Sequence, residues 1–473
     1  MESLRKHQQG KGKPVISTEF ANHRVVAVGN TLYFGKNQRT FVDFLNKHIR
    51  MVLGSDWGNS EIKKPLKDRH KILQWYDAIC MYQRKYASKS IGDIQSSPMT
   101  GLISAYYGLA YNLYLLQHNA ELQAYLIRRL KHNTSFYAAY YETFVAAWFI
   151  LAGFELAIEN EQDSTQTHAE FIATKGEHSY SVEAKTRAPG KTNYDVGNQL
   201  FEALKINAVH PRFVFIDTNI GRDIDLERFV PEVTNAIKGR EAKLTIRGNP
   251  APSAYVFVTN QSYHLQLNDE LVPRVLVPVG FKIPDFGNGT MFWSLIDAHR
   301  AREKHTDALA IEEAFEQYKI PTTFDGEVPE FAFGEAERRF IIGRRYEITE
   351  GVFATLSTAL VIEEERKALL CFHTDDDKCP IFTAELSEAE MTAYKTHPET
   401  FFGRVLKQRE NVEDPMDLFY FFLDGYKETP KEKLLEFMNA SNNFEDLKKL
   451  PVEELRLIYA ERITHSAMAQ KSC

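Results

Sequence analysis

The sequence predicts a mixed α/β fold in which one sheet is flanked by helices. Between residues 134 and 262 the apolar patterns follow the order α-β-β-β-α-β-α-β. The first three strands are close enough in sequence to form hairpins. The last two strands, RFVFID (212–217) and AYVFVTN (254–260), are almost wholly apolar, and each follows a helix. Hairpin-linked strands followed by strands joined through helices indicate a mixed sheet.

Each element of this run has a local signal. A long apolar helix is predicted over residues 136–153, with Gly153 as its C-terminal cap. Alternating or apolar runs bounded by turn residues predict the strands, and apolar residues returning every three or four positions predict the helices. The remaining expected elements are strands at 154–160, 168–174 and 179–185 and helices at about 196–208 and 224–239.

The rest of the chain divides into regions of different character. A short strand pair is predicted within residues 15–36, and helices follow from Thr40 to Leu130. Residues 291–318 have a helical pattern, 338–386 resemble short β strands, and 387–465 return to helix. The expected domains are a basic arm with a helical domain (1–133), the mixed-sheet domain (134–262), a mixed region ending in a β-rich module (263–386) and a helical C-terminal region (387–473).

Composition narrows the class of protein. With 473 residues, 44% hydrophobic and 26% charged, the chain can bury several cores. Its four cysteines and an N-terminus without an apolar signal stretch predict the reducing cytoplasm. A membrane span is not expected, because the most apolar stretch, Phe136 to Gly153, is short for a span of about 20 residues and contains Glu142.

The net charge of −7 hides an uneven distribution. Residues 1–71 hold 14 Lys and Arg against 6 Asp and Glu, whereas the rest of the chain holds 43 against 58. This pattern fits a nucleic-acid-contacting arm or a solvated basic face, and both readings stay open. A second basic cluster consists of Arg338, Arg339, Arg344 and Arg345. It is compatible with a contact to a duplex backbone and equally with a solvent-facing hairpin.

Several familiar motifs are incomplete. Gly190-Lys191-Thr192 lacks the upstream glycine of a phosphate-binding loop, and His168-Ala169-Glu170 has no Pro-Cys-x-x-Cys after it. There is no His-Glu-x-x-His and no Gly-x-Ser-x-Gly. One group, Cys371, His373 and Cys379, offers three zinc ligands at a spacing that also suits a hairpin, so a zinc site is not favoured.

The segment HAEFIATKGEHSYSVEAKTR (168–187) contains the residues that point to chemistry. If Gly176 and Glu177 form a two-residue turn, paired positions sum to 353 and Glu170 lies directly opposite Glu183. The period of two then places Lys185 on the same face as Glu183, with intervening residues toward a core. Two opposed carboxylates need water or a cation between them.

A hard divalent cation fits these groups. Mg²⁺ and Mn²⁺ prefer carboxylate oxygens as ligands. Zinc is not favoured, because the segment has no pair of histidines to bind it. In phosphodiester hydrolysis Glu170 and Glu183 would bind the metal, and the Lys185 ammonium would orient the attacking water and offset transition-state charge.

Glu183-Ala184-Lys185 at a strand end, an acid thirteen residues earlier and the element order resemble the PD-(D/E)xK, or restriction-endonuclease-like, nucleases. The resemblance covers residues 134–262. It implies that Glu170 and Glu183 are the metal-binding acids and that Lys185 is the catalytic lysine. It also implies an additional helix acid and a supporting polar residue, here Glu142 and Gln199. Nucleic-acid contacts are expected from Arg187 and Lys191.

The sequence departs from the family motif at one position, and other residues are candidates for the first acid. Ala169 stands where the motif has proline, and a shifted strand pairing would let Glu159, Glu161 or Asp163 supply the first acid. Glu142 fits equally a helix acid paired with a basic neighbour.

The expected function is a cytoplasmic Mg²⁺- or Mn²⁺-dependent nuclease acting on DNA, in restriction, defence or DNA maintenance. Restriction-like nucleases commonly pair up, so a homodimer is compatible with this expectation. The alternative is a catalytically silent scaffold that binds nucleic acid or a partner protein.

Overall fold

A computed structural model of the chain describes most of its residues and divides them into two compact units. One unit comprises Met1–Ile283 and Ala310–Leu406, and the other comprises Pro284–Leu309 and Lys407–Cys473. The residues described are 2–36, 38–86, 94–158, 169–187, 195–221, 224–270, 272–334, 337–376, 378–405, 414–441 and 443–471.

The N-terminal part of the first unit combines a small antiparallel sheet with a group of helices. The sheet has three strands instead of the predicted pair, because a second turn at Gly29, with a φ of 56°, adds another strand. The helices fall within the predicted helical region. The elements are α1 (Glu2–Gln9), β1 (Ile16–Phe20), β2 (His23–Val28), β3 (Thr31–Gly35), α2 (Phe41–Leu53), α3 (Ser55–Ile62), α4 (Lys71–Tyr86), α5 (Gly101–Leu115) and α6 (Ala120–Leu130).

The long apolar helix is α7 (Phe136–Leu151), and almost all of its side chains are buried. Gly153 caps it as predicted, with a φ of 89°, while the Gly153 and Phe154 amides donate to the carbonyls of Ile150 and Phe149. No helix in the described part of the chain is long and apolar enough to cross a membrane.

The elements after α7 follow the predicted order, with three strands added, and six of the strands form one sheet. They are β4 (Glu155–Ala157), β5 (Phe171–Lys175), β6 (His178–Thr186), α8 (Val196–Leu204), β7 (Arg212–Asp217), α9 (Leu226–Lys238), β8 (Thr245–Ile246), β9 (Asn249–Pro250), β10 (Ala254–Asn260) and β11 (Val275–Phe281). The strand order is β11-β10-β7-β6-β5-β4. Strands β6, β7 and β10 run parallel, and the other pairs are antiparallel, so the sheet is mixed as expected.

Helices cover both faces of this sheet. On one face the Phe149 ring of α7 contacts the rings of Phe171, Phe213 and Phe215, with centroids 5.3–5.7 Å apart. On the other face aliphatic side chains of β7, β10 and β11 pack against α8 and α9. The central strands are therefore buried on both sides, which explains their apolar sequences.

The hairpin of β5 and β6 has the predicted register. Phe171 pairs with Val182 and Lys175 with His178, so paired positions sum to 353, and Gly176 has a φ of 58° in the turn. Glu170 lies one residue before β5, and its amide donates to the Val182 carbonyl at 3.0 Å. The turn thus brings Glu170 beside the C-terminal half of β6.

The β-rich module is a four-stranded antiparallel sheet in the order β12-β13-β14-β15. Helices precede and follow it, as the sequence pattern indicated. These last elements are α10 (Leu295–Lys304), α11 (Thr306–Glu316), α12 (Pro329–Phe333), β12 (Arg345–Thr349), β13 (Val352–Ile362), β14 (Lys367–Thr374), β15 (Ile381–Glu385), α13 (Glu388–Thr396), α14 (Pro415–Gly425), α15 (Lys431–Phe437), α16 (Phe444–Leu447) and α17 (Val452–Lys471).

The aromatic contact between α7 and the sheet gives a stability prediction. Phe149→Ala should lower the free energy of unfolding by about 3–5 kcal/mol, because it removes a fully buried ring and leaves a cavity. Urea denaturation measures the change. The control, Val209→Ala at an exposed loop position, should change it by less than about 0.5 kcal/mol. A loss below about 1 kcal/mol for Phe149→Ala would contradict the assigned packing.

Candidate active site

Strand β6 places Glu183 and Lys185 on one face of the sheet, next to each other. Glu183 is 5% exposed, and its register partner Val214 belongs to the core under α8 and α9. The Lys185 ammonium donates to Glu183 Oε1. Glu183 Oε2 is buried and has no hydrogen-bond partner among the described residues. Glu183 is thus a buried carboxylate with one oxygen neutralised and one oxygen available.

Arg129, near the C-terminal end of α6, joins the other two acids. Its Nη2 donates to Glu142 Oε1 at 2.7 Å, and its Nη1 donates to Glu142 Oε2 and, at 3.0 Å, to Glu170 Oε2. A planar guanidinium suits this geometry, because it offers several donors in one fork. Glu142, Glu170 and Arg129 form one ion-pair group next to the pair on β6.

Burial controls the proton affinities of these acids. Desolvation, reinforced by the Glu170 charge, raises the pKa of Glu142 to about 8. Desolvation is also the main reason that the pKa of Glu183 rises to about 7. Burial lowers the pKa of Lys185, but the Glu183 carboxylate more than offsets this effect, so the pKa lies above its usual value. The pKa values of Glu142 and Glu183 therefore depend on burial and on the charges of the neighbouring side chains.

Protein cations compensate part of the negative charge of these acids. A guanidinium binds Glu170 and an ammonium binds Glu183. The divalent cation that the sequence predicts between Glu170 and Glu183 stays a prediction. Glu142, predicted as an additional metal-reaching acid, has both oxygens paired with Arg129. This contact matches the alternative in which Glu142 is a helix acid paired with a basic neighbour.

The donor chemistry still fits a hard divalent ion. Among the described residues no three His, Cys, Asp or Glu side chains form a ready metal cage. Mg²⁺ rarely needs one, since it is usually held by one or two carboxylates, waters and substrate phosphates. The unpartnered Glu183 Oε2 would supply one oxygen ligand to such an ion. Glu170, which is about one-fifth exposed, would supply the second carboxylate.

Other predicted site residues lie in different settings. Gln199 is on α8, half-buried, and its Oε1 has no hydrogen-bond partner in the described structure, so no bond joins it to Glu183 or Lys185. Arg187 donates to the Asn219 carbonyl at 2.5 Å and is half-buried, so its guanidinium is not presented freely to solvent. A further set lies outside the described residues: Lys191 and the alternative acids Glu159, Glu161 and Asp163.

A buried polar group opposite Thr186, the residue after Lys185, escaped the sequence analysis. Asp217 ends β7, is 1% exposed, and accepts hydrogen bonds from Thr259 Oγ1 and the Gln261 amide at 3.0 Å. Burial raises its pKa to about 7. A usable signal existed, because this acid ends an almost wholly apolar strand that neighbours the strand of Lys185. Arg129 had no comparable signal, since its partners are 13 and 41 residues away.

Two other candidate groups do not form free sites. Cys379 Sγ lies 3.7 Å from His373 Nδ1, but the described residues contain no metal-binding cluster there. Three arginines of the second basic cluster are ion-paired: Arg338 with Glu327, Arg339 with Glu390 and Arg345 with Asp375. The β-rich module therefore does not present the cluster as an uncompensated positive surface.

Comparison with protein-family models, curated proteins and solved structures finds no match for this chain. The chemistry of the site has to be inferred from its own geometry.

The buried carboxyl of Glu183 gives a pH-dependent prediction. A carboxyl whose pKa is raised by folding stabilises the folded state below its ordinary value of 4.5 and loses that contribution as pH rises to about 7. Glu183→Gln should therefore raise the free energy of unfolding by about 1–3 kcal/mol at pH 8 and change it little at pH 5. Urea denaturation at both pH values measures this.

The matched control is Glu177→Gln, an exposed acid in the turn of the same hairpin. It should leave stability unchanged at both pH values. Destabilisation by Glu183→Gln at pH 8 would mean that the ion pair with Lys185 outweighs the desolvation of the carboxylate.

Proposed function

We propose that this protein is a metal-dependent nuclease with a restriction-endonuclease-like core that hydrolyses phosphodiester bonds of DNA. The observation that carries the proposal is the contact of Lys185 with Glu183, which keeps one buried oxygen unpartnered, while the hairpin register places Glu170 beside the same strand. The element order and the resemblance of Glu183-Ala184-Lys185 to the PD-(D/E)xK motif support it.

The charge balance of the site favours this chemistry. Above a pH of about 8, where Glu142 and Glu183 are ionised, three carboxylates face Arg129 and Lys185, which leaves one negative charge. A phosphodiester brings one more, and the two together would repel each other in a poorly hydrated site. One divalent cation balances both charges. Bound Mg²⁺ or Mn²⁺ supplies Lewis acidity toward a phosphate oxygen and makes a bound water more acidic.

Each side chain then has a defined role. Glu183 and Glu170 hold the metal through carboxylate oxygens. Lys185 is 29% exposed at its side chain, so its ammonium can turn from Glu183 toward an incoming phosphate or attacking water. Arg129 keeps Glu142 and Glu170 in place and acts as a positioning residue.

A second candidate function follows from Arg129. Because its guanidinium already compensates Glu142 and Glu170, the site can be stable without a metal. The protein would then be a catalytically silent scaffold with a nuclease-like fold that binds nucleic acid or a regulatory partner. Metal binding separates the two candidates, since only the nuclease needs the ion.

A cleavage assay tests the nuclease proposal. Linear, circular and single-stranded DNA, with an RNA of the same sequence, are incubated with the full chain in Mg²⁺, Mn²⁺ or EDTA. We expect metal-dependent cutting that falls about 100-fold or more in Glu183→Ala and Lys185→Ala, because each removes a group that acts at the reacting phosphate. Calorimetric titration with Mn²⁺ should show binding to the parent and weaker binding to Glu183→Ala.

Matched controls use exposed residues of the same types, Glu177→Ala and Lys243→Ala, which should cut like the parent. Folding of every variant is checked by its urea transition. No cutting by a folded parent, together with no Mn²⁺ binding, would reject the nuclease and favour the scaffold.

A further inference from the structure

A basic region lies beside the candidate site, outside the mixed sheet. Residues 62–71 contain five Lys and Arg against one carboxylate, and the C-terminal end of α6 with the following turn adds Arg128, Arg129 and Lys131 without any acid. The excess of positive charge in the first 71 residues is therefore partly concentrated in one loop.

Ring contacts bring these two segments together. The Lys131 ammonium lies 5.8 Å from the Trp57 ring centroid, Trp57 contacts His70 at 5.3 Å, and His70 contacts Phe136 at 5.0 Å. Phe136 begins α7 and is six residues before Glu142, which corresponds to about 9 Å along the helix. The loop and the α6 end thus adjoin the group formed by Arg129 and Glu142.

Four of these basic residues form neither an ion pair nor a side-chain hydrogen bond with any described residue. Lys63, Lys67 and Arg128 are exposed and Lys131 is half-buried, and no described carboxylate forms an ion pair with any of them. Their neighbours differ, since Lys64 pairs with Glu61 and Arg69 lies 3.8 Å from Asp77. We call Lys63, Lys67, Arg128 and Lys131 the basic strip.

We propose that the basic strip binds the phosphate backbone of duplex DNA and leads the duplex to the candidate site. This inference rests on the proposed nuclease function and adds the route by which substrate is held. Uncompensated lysines and arginines at a surface are the groups that neutralise backbone phosphates. They position a duplex without reading its sequence.

The neighbourhood favours a duplex over a single strand. Single-strand binding surfaces combine positive charge with aromatic rings on which bases stack. Two rings lie next to the strip, and both are half-buried: Trp57 beside His70 and Lys131, and Tyr125 beside Arg128. The exposed apolar side chains of the loop are aliphatic, Ile62 and Leu66. The described surface therefore offers phosphate contacts without a stacking platform.

The test separates binding from cleavage. Binding of a fluorescent 20-base-pair duplex is measured by anisotropy without metal over a series of salt concentrations, using full-length Glu183→Gln protein. The strip variant adds Lys67→Ser and Lys131→Ser, and the control adds Lys243→Ser and Lys395→Ser, which removes the same charge from exposed positions elsewhere. The slope of log Kd against log salt should fall by about 2 in the strip variant and stay unchanged in the control.

The outcomes are distinguishable from those of the nuclease proposal. An unchanged slope and Kd in the strip variant, equal weakening in the control, or tighter binding of single strands than of duplex by the parent each overturns the strip. Loss of binding in the strip variant alone supports it, even if no version of the chain cuts DNA. If the parent cuts DNA but the strip variant binds duplex like the parent, the nuclease proposal stands and the proposal that the basic strip binds DNA is rejected.

Discussion

The arrangement of the candidate site depends on compensating buried negative charge. Glu142 and Glu183 are almost fully enclosed, and an isolated carboxylate there would be costly. Arg129 and Lys185 supply the compensation from two different elements, α6 and β6. When all three acids are ionised, the two cations leave one negative charge uncompensated, and the site then attracts a cation more than an anion. In the proposed nuclease, this charge is the link between the paired buried acids and a divalent cation.

The rest of the fold serves to hold these two elements in register. Helix α7 is anchored to the sheet by Phe149, and the same helix carries Glu142 toward Arg129. On the opposite face α8 and α9 pack on the aliphatic side of the parallel strands. The β5–β6 turn brings Glu170 back toward Glu183. The site is thus built where a helix, a hairpin and a parallel strand meet, and each is fixed by its own packing.

Local patterns were sufficient for most elements of the mixed sheet and for half of the site. Alternation and a two-residue turn place Glu183, Lys185 and Glu170, because these effects act over a few residues. Arg129 could not be predicted, since a helix-end arginine has many possible partners and its choice of Glu142 and Glu170 is decided by tertiary packing. The third strand, which begins at Thr31, was missed for a related reason. Whether residues after a turn form a strand depends on pairing with a neighbouring strand, here β2, and a local pattern does not show that pairing.

The position of Arg129 also bears on how the site forms during folding. Only thirteen residues separate it from Glu142, on two helices that are consecutive in the chain, so this contact closes a small loop at low entropic cost. Lys185 and Glu183 reach it only after β6 has joined β5 and β7. One half of the site can therefore assemble early from neighbouring helices, and the other half waits for contacts between distant segments.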